Sequence, residues 1–177
     1  IVRDIADANV PVLIFGETGT GKEAVARMLH DSGARRGAAF VVLDCAAVPE
    51  QSLEPELFGT SSAIAGMSRR IPGRLELAER GTLYLDNIDN LSIAAQAKLL
   101  RAVEQKSFTP PGLSIERTVS CRIVASATRD LGKLVVSKEF RSDLFFRINT
   151  VTLPLPPVRE RRADISTLFL HMLAESA

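Results

Sequence analysis

Short apolar runs alternate along the chain with segments of helical periodicity, and this order restricts the possible folds more than any other feature. The strand-like runs lie at residues 10–15, 40–44, 82–86, 121–127 and 151–153. The helical patterns lie between them, at residues 22–31, 49–58, 93–105 and 137–146. Apolar strands separated by helices are typical of a parallel sheet that is buried on both faces. The sequence therefore predicts an α/β fold with a parallel five-stranded sheet.

One helix and one loop in this pattern carry more detailed expectations. Ser92 is expected to cap the helix at residues 93–105. The apolar face of that helix is predicted to consist of Ile93, Ala97, Leu100 and Val103. Residues 60–74 follow neither the helical nor the strand period and are rich in small side chains, so we expect a surface loop there.

The segment between the first strand and the first helix has the pattern of a phosphate-binding loop. Residues 16–22 read G-E-T-G-T-G-K, with an apolar strand before them and a helix after them. Glycines let successive backbone N–H groups curl around an anion, and the N-terminus of the helix adds partial positive charge. Lys22 is expected to reach the β- and γ-phosphates of ATP. The predicted nucleotide-binding residues are Gly16, Glu17, Thr18, Gly19, Thr20, Gly21, Lys22 and Glu23.

Asp86 ends the third apolar strand and is the predicted Mg²⁺ ligand. Parallel strands place their carboxyl ends at one edge of the sheet, and a carboxylate there holds Mg²⁺ directly or through water. The loop departs from the usual pattern at one position. Glu23 follows Lys22 where a Ser or Thr hydroxyl commonly ligates the metal.

The composition is that of an ordinary globular domain and argues against several other classes of protein. The 22 Lys and Arg residues nearly balance the 21 Asp and Glu residues, so the net charge of +1 does not favour bulk attraction to nucleic acid or membranes. No apolar run approaches the roughly 18 residues of a membrane helix and no secretory signal is recognisable, so we expect a cytoplasmic protein without membrane contact. Cys45 and Cys121 are expected to be buried thiols, and the start at Ile1 suggests a piece of a longer protein.

Six blocks of sequence resemble the AAA+ domain of bacterial enhancer-binding transcription activators, the NtrC-like family that interacts with sigma-54. The blocks span nearly the whole chain and read GETGTGKE, ELFG, GRLELAERGTLYLD, AQAKLLRAVEQ, FRSDLFFRIN and LPPVRERRADI. The resemblance implies a three-layer αβα P-loop NTPase core at residues 1–157 and, at residues 158–177, the start of a small helical lid. It also implies assembly into a ring, usually a hexamer, with ATP between subunits.

The resemblance implies partners and further site residues as well. Full-length members commonly add a sensory domain and a C-terminal domain that binds DNA, so DNA contact is expected outside this chain. The phosphate loop and Asp86 match the family's ATP and Mg²⁺ site. Arg141 and Arg147 match two arginines that family members present to the ATP of a neighbouring subunit. A guanidinium supplied in this way stabilises the charge that develops in phosphoryl transfer.

Four positions, which form three groups around the expected γ-phosphate, depart from the family pattern. Asn87 replaces the Glu that polarises the attacking water, and an amide cannot accept the proton of that water. Asp44 stands where the family has an Asn that holds this Glu in an inactive pose, and its carboxylate could act from the other side. Ala127 and Thr128 replace a polar Thr-Asn pair at the end of the fourth strand. We therefore expect ATP binding with weak or absent hydrolysis.

The stretch at residues 60–74 also lacks GAFTGA, the motif with which family members contact sigma-54. The aligned residues are Ser62, Ala63, Ile64, Ala65, Gly66 and Met67. Ile64 replaces the contacting Phe and Ala65 the contacting Thr, so we expect no productive contact with sigma-54. Arg69 and Arg70 are assigned a solvated or interface role in preference to nucleic-acid contact.

The sequence leaves three functions open. The first is the ATP-binding central domain of a transcription regulator that self-associates, as a hexameric ring or a dimer, and acts on RNA polymerase without engaging sigma-54. The second is an active ATPase that remodels the polymerase at sigma-54-dependent promoters, which a measured rate of phosphate release would distinguish. The third is a nucleotide pocket adapted to a regulatory ligand such as a cyclic dinucleotide, which no residue of the chain specifies.

Overall fold

Five parallel strands form the central sheet. The computed structural model describes residues 5–64, 67–110 and 114–164. The strands of the sheet are β1 (Val12–Phe15), β2 (Phe40–Asp44), β5 (Thr82–Asp86), β8 (Arg122–Ala127) and β9 (Val151–Pro154). They lie in the order β2-β5-β8-β1-β9, and every neighbouring pair is parallel. The predicted α/β fold with a parallel five-stranded sheet is confirmed.

Helices and two short antiparallel ribbons connect these strands. The helices are α1 (Lys22–Asp31), α2 (Glu50–Phe58), α3 (Arg74–Leu77), α4 (Ile93–Gln105), α5 (Leu131–Val136) and α6 (Ser142–Ile148). The ribbons pair β3 (Gly59–Ile64) with β4 (Met67–Pro72) and β6 (Ser107–Phe108) with β7 (Arg117–Thr118). Single turns of 3₁₀ helix lie at Ile88–Asn90, Val158–Glu160 and Arg162–Asp164. None of the helices in the described ranges is long and apolar enough to cross a membrane.

Each face of the sheet packs against its own layer of helices. Successive side chains of a strand point to opposite faces. Ile14 of β1 packs with Leu29 of α1 in one buried cluster. Leu13, the residue before it, belongs to a second and larger cluster with Leu99 of α4. Burial on both faces explains why the strands are apolar along their length, and it produces three layers with the sheet in the middle.

The prediction of a loop at residues 60–74 is wrong, because most of this stretch forms the β3–β4 ribbon and the start of α3. The ribbon is antiparallel, with Gly59 opposite Pro72 at its base. The two strands have no regular alternation of apolar and polar residues, so strand periodicity does not reveal them in the sequence. The side chain of Ile71, near the base of the ribbon, is exposed. Ala65 and Gly66 lie outside the described residues.

The prediction of a single helix at residues 137–146 is also wrong, because α5 ends at Val136 and α6 begins only at Ser142. Lys138 has a φ of +65°, a left-handed conformation that interrupts a right-handed helix. Asp130 begins α5 several residues earlier than expected. Its carboxylate accepts hydrogen bonds from the backbone N–H groups of Gly132 and Lys133, which is the usual arrangement of an N-cap.

The N-cap predicted for α4 is confirmed, but the buried face of that helix is rotated from the predicted one. The Ser92 hydroxyl accepts a hydrogen bond from the backbone N–H of Ala95 at 3.3 Å. Ile93, expected on the buried face, is 44% exposed. The buried residues are Ala95, Gln96, Leu99, Leu100 and Ala102. The Gln96 amide donates to the Leu91 carbonyl at 2.8 Å, so a satisfied polar side chain occupies a core position that an apolar pattern does not reveal.

The two cysteines differ in their surroundings. Cys45 is buried, as predicted, whereas Cys121 is only partly buried. Burial raises the pKa of Cys45 to about 12 and that of Cys121 to about 11. Both side chains are therefore neutral thiols near pH 7.

The helical lid expected at residues 158–177 lies mostly outside the described residues, which stop at residue 164. The described part after β9 returns to the first strand. The backbone N–H of Leu155 donates to the carbonyl of Phe15 at 2.7 Å. Residues 155–164 therefore pass beside the end of β1, next to the predicted phosphate loop.

Gly81 precedes β5 and lies against the backbone of Ala39, which precedes β2. A Cβ on Gly81 would contact the carbonyl oxygen of Ala39 and lie 2.9 Å from its carbonyl carbon. That backbone cannot easily move, because the same carbonyl accepts a hydrogen bond from Thr82 at 2.9 Å. We predict that Gly81→Ala lowers the free energy of unfolding by about 1–3 kcal/mol, the usual cost of overpacking.

Urea denaturation followed by circular dichroism measures this change. Gly37→Ala is the matched control, because a Cβ there would meet no atom within 4 Å. Its effect should stay within about 0.5 kcal/mol. Equal losses in the two variants would contradict the prediction.

Candidate nucleotide site

The loop between β1 and α1 curls tightly at the carboxyl end of β1. Gly19 and Gly21 have φ angles of +80° and +85°, in the left-handed region that glycine adopts without strain. The backbone N–H of Thr20 donates to the carbonyl of Glu17 at 3.3 Å, which closes the turn. No side chain among the described residues caps the start of α1. The first N–H groups of that helix are therefore available to an anion.

Lys22 lies inside the curve of this loop and is only 8% exposed. Its ammonium group donates to the carbonyls of Gly16 and Glu17 at 3.0 and 3.1 Å. It also donates to the hydroxyl of Thr128 at 3.3 Å, across from the neighbouring strand. The ammonium group is therefore held where the phosphates of a nucleotide bound by the loop would lie.

Asp86 lies at the end of β5, at the same edge of the sheet as the loop. One oxygen of its carboxylate, Oδ1, accepts hydrogen bonds from the Tyr84 hydroxyl at 2.8 Å and the Asn87 backbone N–H at 3.1 Å. The same oxygen accepts a hydrogen bond from the Ser126 hydroxyl. Burial raises the pKa of Tyr84, so that hydroxyl stays protonated and remains a donor.

A single hydrogen-bonded chain connects the side chains at three positions that depart from the family pattern. The amide nitrogen of Asn87 donates to Oδ1 of Asp44 at 3.1 Å. The amide oxygen of Asn87 accepts a hydrogen bond from the Thr128 hydroxyl at 3.2 Å. Since Lys22 donates to that hydroxyl in turn, the chain runs from Asp44 through Asn87 and Thr128 to Lys22. Ala127, the remaining departure, has no polar side chain and is buried.

Three other side chains of the loop form hydrogen bonds or ion pairs with neighbouring groups of the protein. Glu17 forms a two-bond ion pair with Arg159, with both contacts at 2.7 Å. The hydrogen bonds from Arg159 lower the pKa of Glu17. Glu23 pairs with Arg27 one helical turn further on, at 3.1 Å. Thr18 is exposed, and the hydroxyl of Thr20 donates to the carbonyl of Glu17 at 2.8 Å.

The structure does not bring the two predicted arginines to the loop of their own chain. Arg141 forms a two-bond ion pair with Asp143, at 3.0 and 2.7 Å, and its hydrogen bonds lower the pKa of that carboxyl. Arg147 lines a cleft of about 580 Å³ beside Pro11 and Arg122. Those two residues adjoin the amino ends of β1 and β8, so the cleft lies at the opposite edge of the sheet from the loop. Within the described part of the chain, the Arg147 side chain forms no ion pair.

Sequence reasoning missed three residues at this edge. Tyr84 and Ser126 bind Asp86, and Arg161 donates to the Thr20 carbonyl of the loop. Tyr84 lies two residues before Asp86 in the same strand, and this spacing places both side chains on one face. Ser126 and Arg161 are brought to the site from β8 and from beyond β9, so their roles depend on the tertiary fold.

A magnesium ion fits this edge only together with a nucleotide. No group of three or more His, Cys, Asp or Glu side chains in the described residues is arranged to hold a metal ion. Asp86 offers a carboxylate oxygen of the kind that Mg²⁺ prefers, while Glu23 turns towards Arg27. Mg²⁺ commonly takes one or two protein carboxylates, and phosphate oxygens and waters complete its shell.

Comparisons with known proteins agree with this geometry. Residues 1–154 match the family described as "Sigma-54 interaction domain". The C4-dicarboxylate transport transcriptional regulatory protein DctD of Rhizobium meliloti is 47% identical over 177 residues, which cover 99% of this chain and 38% of that protein. The DNA-binding transcriptional regulator NtrC of a Bradyrhizobium species is 43% identical over 175 residues, covering 98% of this chain and 36% of that protein. The chain thus spans less than two-fifths of these curated relatives.

Solved structures match along nearly the whole chain. NtrX from Brucella abortus in complex with ATP has a TM-score of 0.87 and 32% identity, over 99% of this chain and 40% of that one. The P-loop NTPase domain of a sigma-54 activator from E. coli has a TM-score of 0.59 at 19% identity, over 89% of this chain and 90% of that one. This second match supports the fold alone.

Lys22 generates the first prediction about the site. We expect Lys22→Ala to weaken ATP binding at least tenfold, because a charge-assisted hydrogen bond to phosphate contributes about 1.5–3 kcal/mol. Isothermal titration calorimetry with ATP measures the change. Lys98→Ala is the matched control, since Lys98 is a largely exposed lysine that pairs with Glu54 away from the loop. Equal ATP affinity in the unmodified protein and the Lys22 variant would contradict the assignment of the loop.

Proposed function

The chain belongs to the sigma-54 interaction domain family of bacterial enhancer-binding regulators, and on that premise we propose that it binds ATP with Mg²⁺ and hydrolyses it weakly or not at all. One observation carries this proposal. Asn87, the residue after the metal carboxylate, is an amide whose nitrogen is bound to Asp44 and whose oxygen is bound to Thr128. The position that should activate water therefore has no basic group, and both polar atoms of its side chain are already engaged in hydrogen bonds.

Nucleotide binding rests on the loop and on Lys22. The left-handed glycines, the uncapped start of α1 and the buried ammonium group together form a binding site for phosphate. Structures of Brucella abortus NtrX in complex with ADP and with ATP support nucleotide binding by this fold. We assign the residues from Gly16 to Glu23 to the nucleotide and Asp86 to Mg²⁺. When bound, that ion neutralises charge on the β- and γ-phosphates.

A second function, an active ATPase that remodels RNA polymerase at sigma-54-dependent promoters, is favoured by the position of Asp44. Its carboxylate lies at the same edge of the sheet and contacts Asn87 at 3.1 Å. A carboxylate can accept a proton from water where an amide cannot. We nevertheless favour weak hydrolysis, because hydrogen bonds from Asn87 and from the backbone N–H of Ala46 hold this carboxylate at the end of β2. Two strands, β5 and β8, separate β2 from β1, which leads into the phosphate loop.

Contact with sigma-54 is not part of the proposed function. In the sequence, Ile64 and Ala65 take the places of the aromatic and hydroxyl side chains with which relatives of the resembled family contact sigma-54. We propose that the protein acts on RNA polymerase in another way, in the cytoplasm, and binds DNA through a domain outside this chain. The core is assigned to residues 1–157 and the start of a helical lid to residues 158–177.

Self-association is proposed to bring Arg147 to the nucleotide of a neighbouring copy, in a hexameric ring or a dimer. Its position at the edge opposite the phosphate loop supports this assignment, because from there it cannot serve its own loop. Arg141 is assigned the same role, and it would have to leave Asp143 to reach a nucleotide. Thr128 is assigned to sensing the γ-phosphate, through its contact with Lys22.

Turnover distinguishes the two functions. We expect the unmodified full-length protein to hydrolyse ATP at least about 100-fold more slowly than an ordinary relative, because general-base catalysis contributes about 10²–10⁴-fold. Asn87→Glu should raise the rate by about 100-fold. Asn87→Gln is the matched control, since it lengthens the side chain without adding a carboxylate and should leave the rate low.

Steady-state phosphate release with saturating ATP and Mg²⁺ measures these rates. Turnover by the unmodified protein at about 1 s⁻¹ or faster, unchanged in Asp44→Ala, would contradict an impaired site. The same fast turnover, abolished in Asp44→Ala, would support the second function instead.

Arg147 generates a prediction about assembly. Arg147→Ala should reduce the ATP-promoted increase in sedimentation coefficient of the full-length protein, because it removes a guanidinium that pairs with phosphate across the interface. Arg36→Ala is the matched control, as Arg36 is an exposed arginine after α1. Analytical ultracentrifugation with and without ATP measures the difference. Equal assembly by the Arg147 variant and the unmodified protein would remove the assigned role.

A further inference from the structure

We propose that Tyr84 and Ser126 are positioning residues for Asp86, and that their hydroxyls hold one carboxylate oxygen so that the other faces the metal. This inference rests on the proposed function, in which Asp86 holds Mg²⁺ beside a bound nucleotide. It gives a role to two buried polar side chains that have no direct part in nucleotide binding.

Three donors converge on one oxygen of Asp86. Oδ1 accepts hydrogen bonds from the Tyr84 hydroxyl at 2.8 Å, the Asn87 backbone N–H at 3.1 Å and the Ser126 hydroxyl. Within the described ranges, no group donates to Oδ2. A carboxylate oxygen accepts about two hydrogen bonds in its lone-pair directions, so Oδ1 is saturated and Oδ2 is the oxygen left for a cation.

Both hydroxyls are held by rigid parts of the core. Tyr84 and Ser126 are each 0% exposed. The ring of Tyr84 stacks on Phe40, with ring centroids 6.1 Å apart, and Ser126 lies opposite Ile14 in the register of β8 with β1. The ring of Tyr84 and the backbone of Ser126 are therefore held in place. The hydrogen bonds from their hydroxyls restrain rotation of the carboxylate before any ligand arrives.

The hydroxyls are not needed to fill space. A Phe at position 84 would keep the aromatic ring, and an Ala at position 126 would remove one atom from a strand that already contains Ala125 and Ala127. Both hydroxyls instead belong to one hydrogen-bond network around Asp86. In that network the Ser126 hydroxyl also accepts a hydrogen bond from the Asn87 backbone N–H at 3.1 Å. Both hydroxyls donate to the Asp86 carboxylate, which indicates that they determine its orientation.

The inference predicts an effect on Mg²⁺ binding and none on the binding of nucleotide without metal. Mg²⁺ demands near-octahedral geometry, so a carboxylate with one fixed free oxygen binds it, directly or through water, with less reorganisation than a mobile carboxylate. Removing either hydroxyl should therefore weaken the contribution of Mg²⁺ to nucleotide affinity while leaving metal-free binding intact.

Calorimetry with ADP, first in EDTA and then in MgCl₂, separates these effects in the full-length protein. We expect Tyr84→Phe and Ser126→Ala to bind ADP in EDTA as the unmodified protein does. Their gain in affinity on adding MgCl₂ should fall by about tenfold, the usual effect of losing a group that orients a metal ligand. Thr82→Val is the matched control, because it removes a buried hydroxyl at the other end of β5, where Thr82 contacts His30 at 2.9 Å.

A gain within twofold of the unmodified value in both variants would overturn the inference. Failure of the unmodified protein to bind ADP in EDTA would instead overturn the proposed function, so the two failures are distinguishable. Should the variants not fold, the unmodified protein supplies a second measurement. With 3-fluorotyrosine incorporated at position 84 alone, the fluorine NMR resonance of the full-length protein comes from this residue whatever other tyrosines it contains.

Adding MgCl₂ to the ADP-bound protein should shift that resonance, because the partner carboxylate of the phenol then contacts a cation. Adding MgCl₂ without nucleotide is the control and should have little effect. A resonance that does not respond to MgCl₂ in the presence of ADP would also overturn the inference.

Discussion

The register between parallel strands is the constraint on which this site depends. Asp44 lies opposite Asp86 in the pairing of β2 with β5, and Ala127 lies opposite Phe15 in the pairing of β8 with β1. Leu85 lies opposite Ala125 in the pairing of β5 with β8, so the ends of these two pairs of strands are offset by one residue. The residues that follow the four strands therefore meet at one edge of the sheet. A shift of one residue would turn every side chain of a strand to the opposite face of the sheet. Packing on both faces of the sheet fixes the register between neighbouring strands. The same packing therefore also determines where the polar groups of the site lie.

Those polar groups form two connected sets with different tasks. Lys22, Thr128, Asn87 and Asp44 share one chain of hydrogen bonds, and Tyr84, Ser126 and the Asn87 backbone hold Asp86. Asn87 belongs to both sets and has a left-handed backbone, with a φ of 51°, that asparagine tolerates better than most residues. Asn87, the residue after the carboxylate proposed to hold Mg²⁺, thus connects the two sets. In the proposed function this structural role takes the place of the family's catalytic base.

Much of the fold and the phosphate loop could be predicted from the sequence, since both depend on local pattern. The loop is defined by glycine spacing between a strand and a helix, and the strands by continuous apolar runs. The β3–β4 ribbon was missed because its sequence has no regular alternation of apolar and polar residues. The division between α5 and α6 was missed because a left-handed Lys138 has no clear signature. The contacts of Tyr84 and Ser126 required the tertiary pairing of β5 with β8.

The central claim is that this site holds ATP without efficiently cleaving it, and a single-turnover experiment tests it most directly. Full-length protein in excess is mixed with radiolabelled ATP and MgCl₂, quenched with acid at successive times, and the nucleotide is separated into ATP and ADP. At a rate at least about 100-fold below 1 s⁻¹, about half or more of the bound ATP should survive the first minute. Conversion of the bound ATP to ADP within a few seconds would contradict the account.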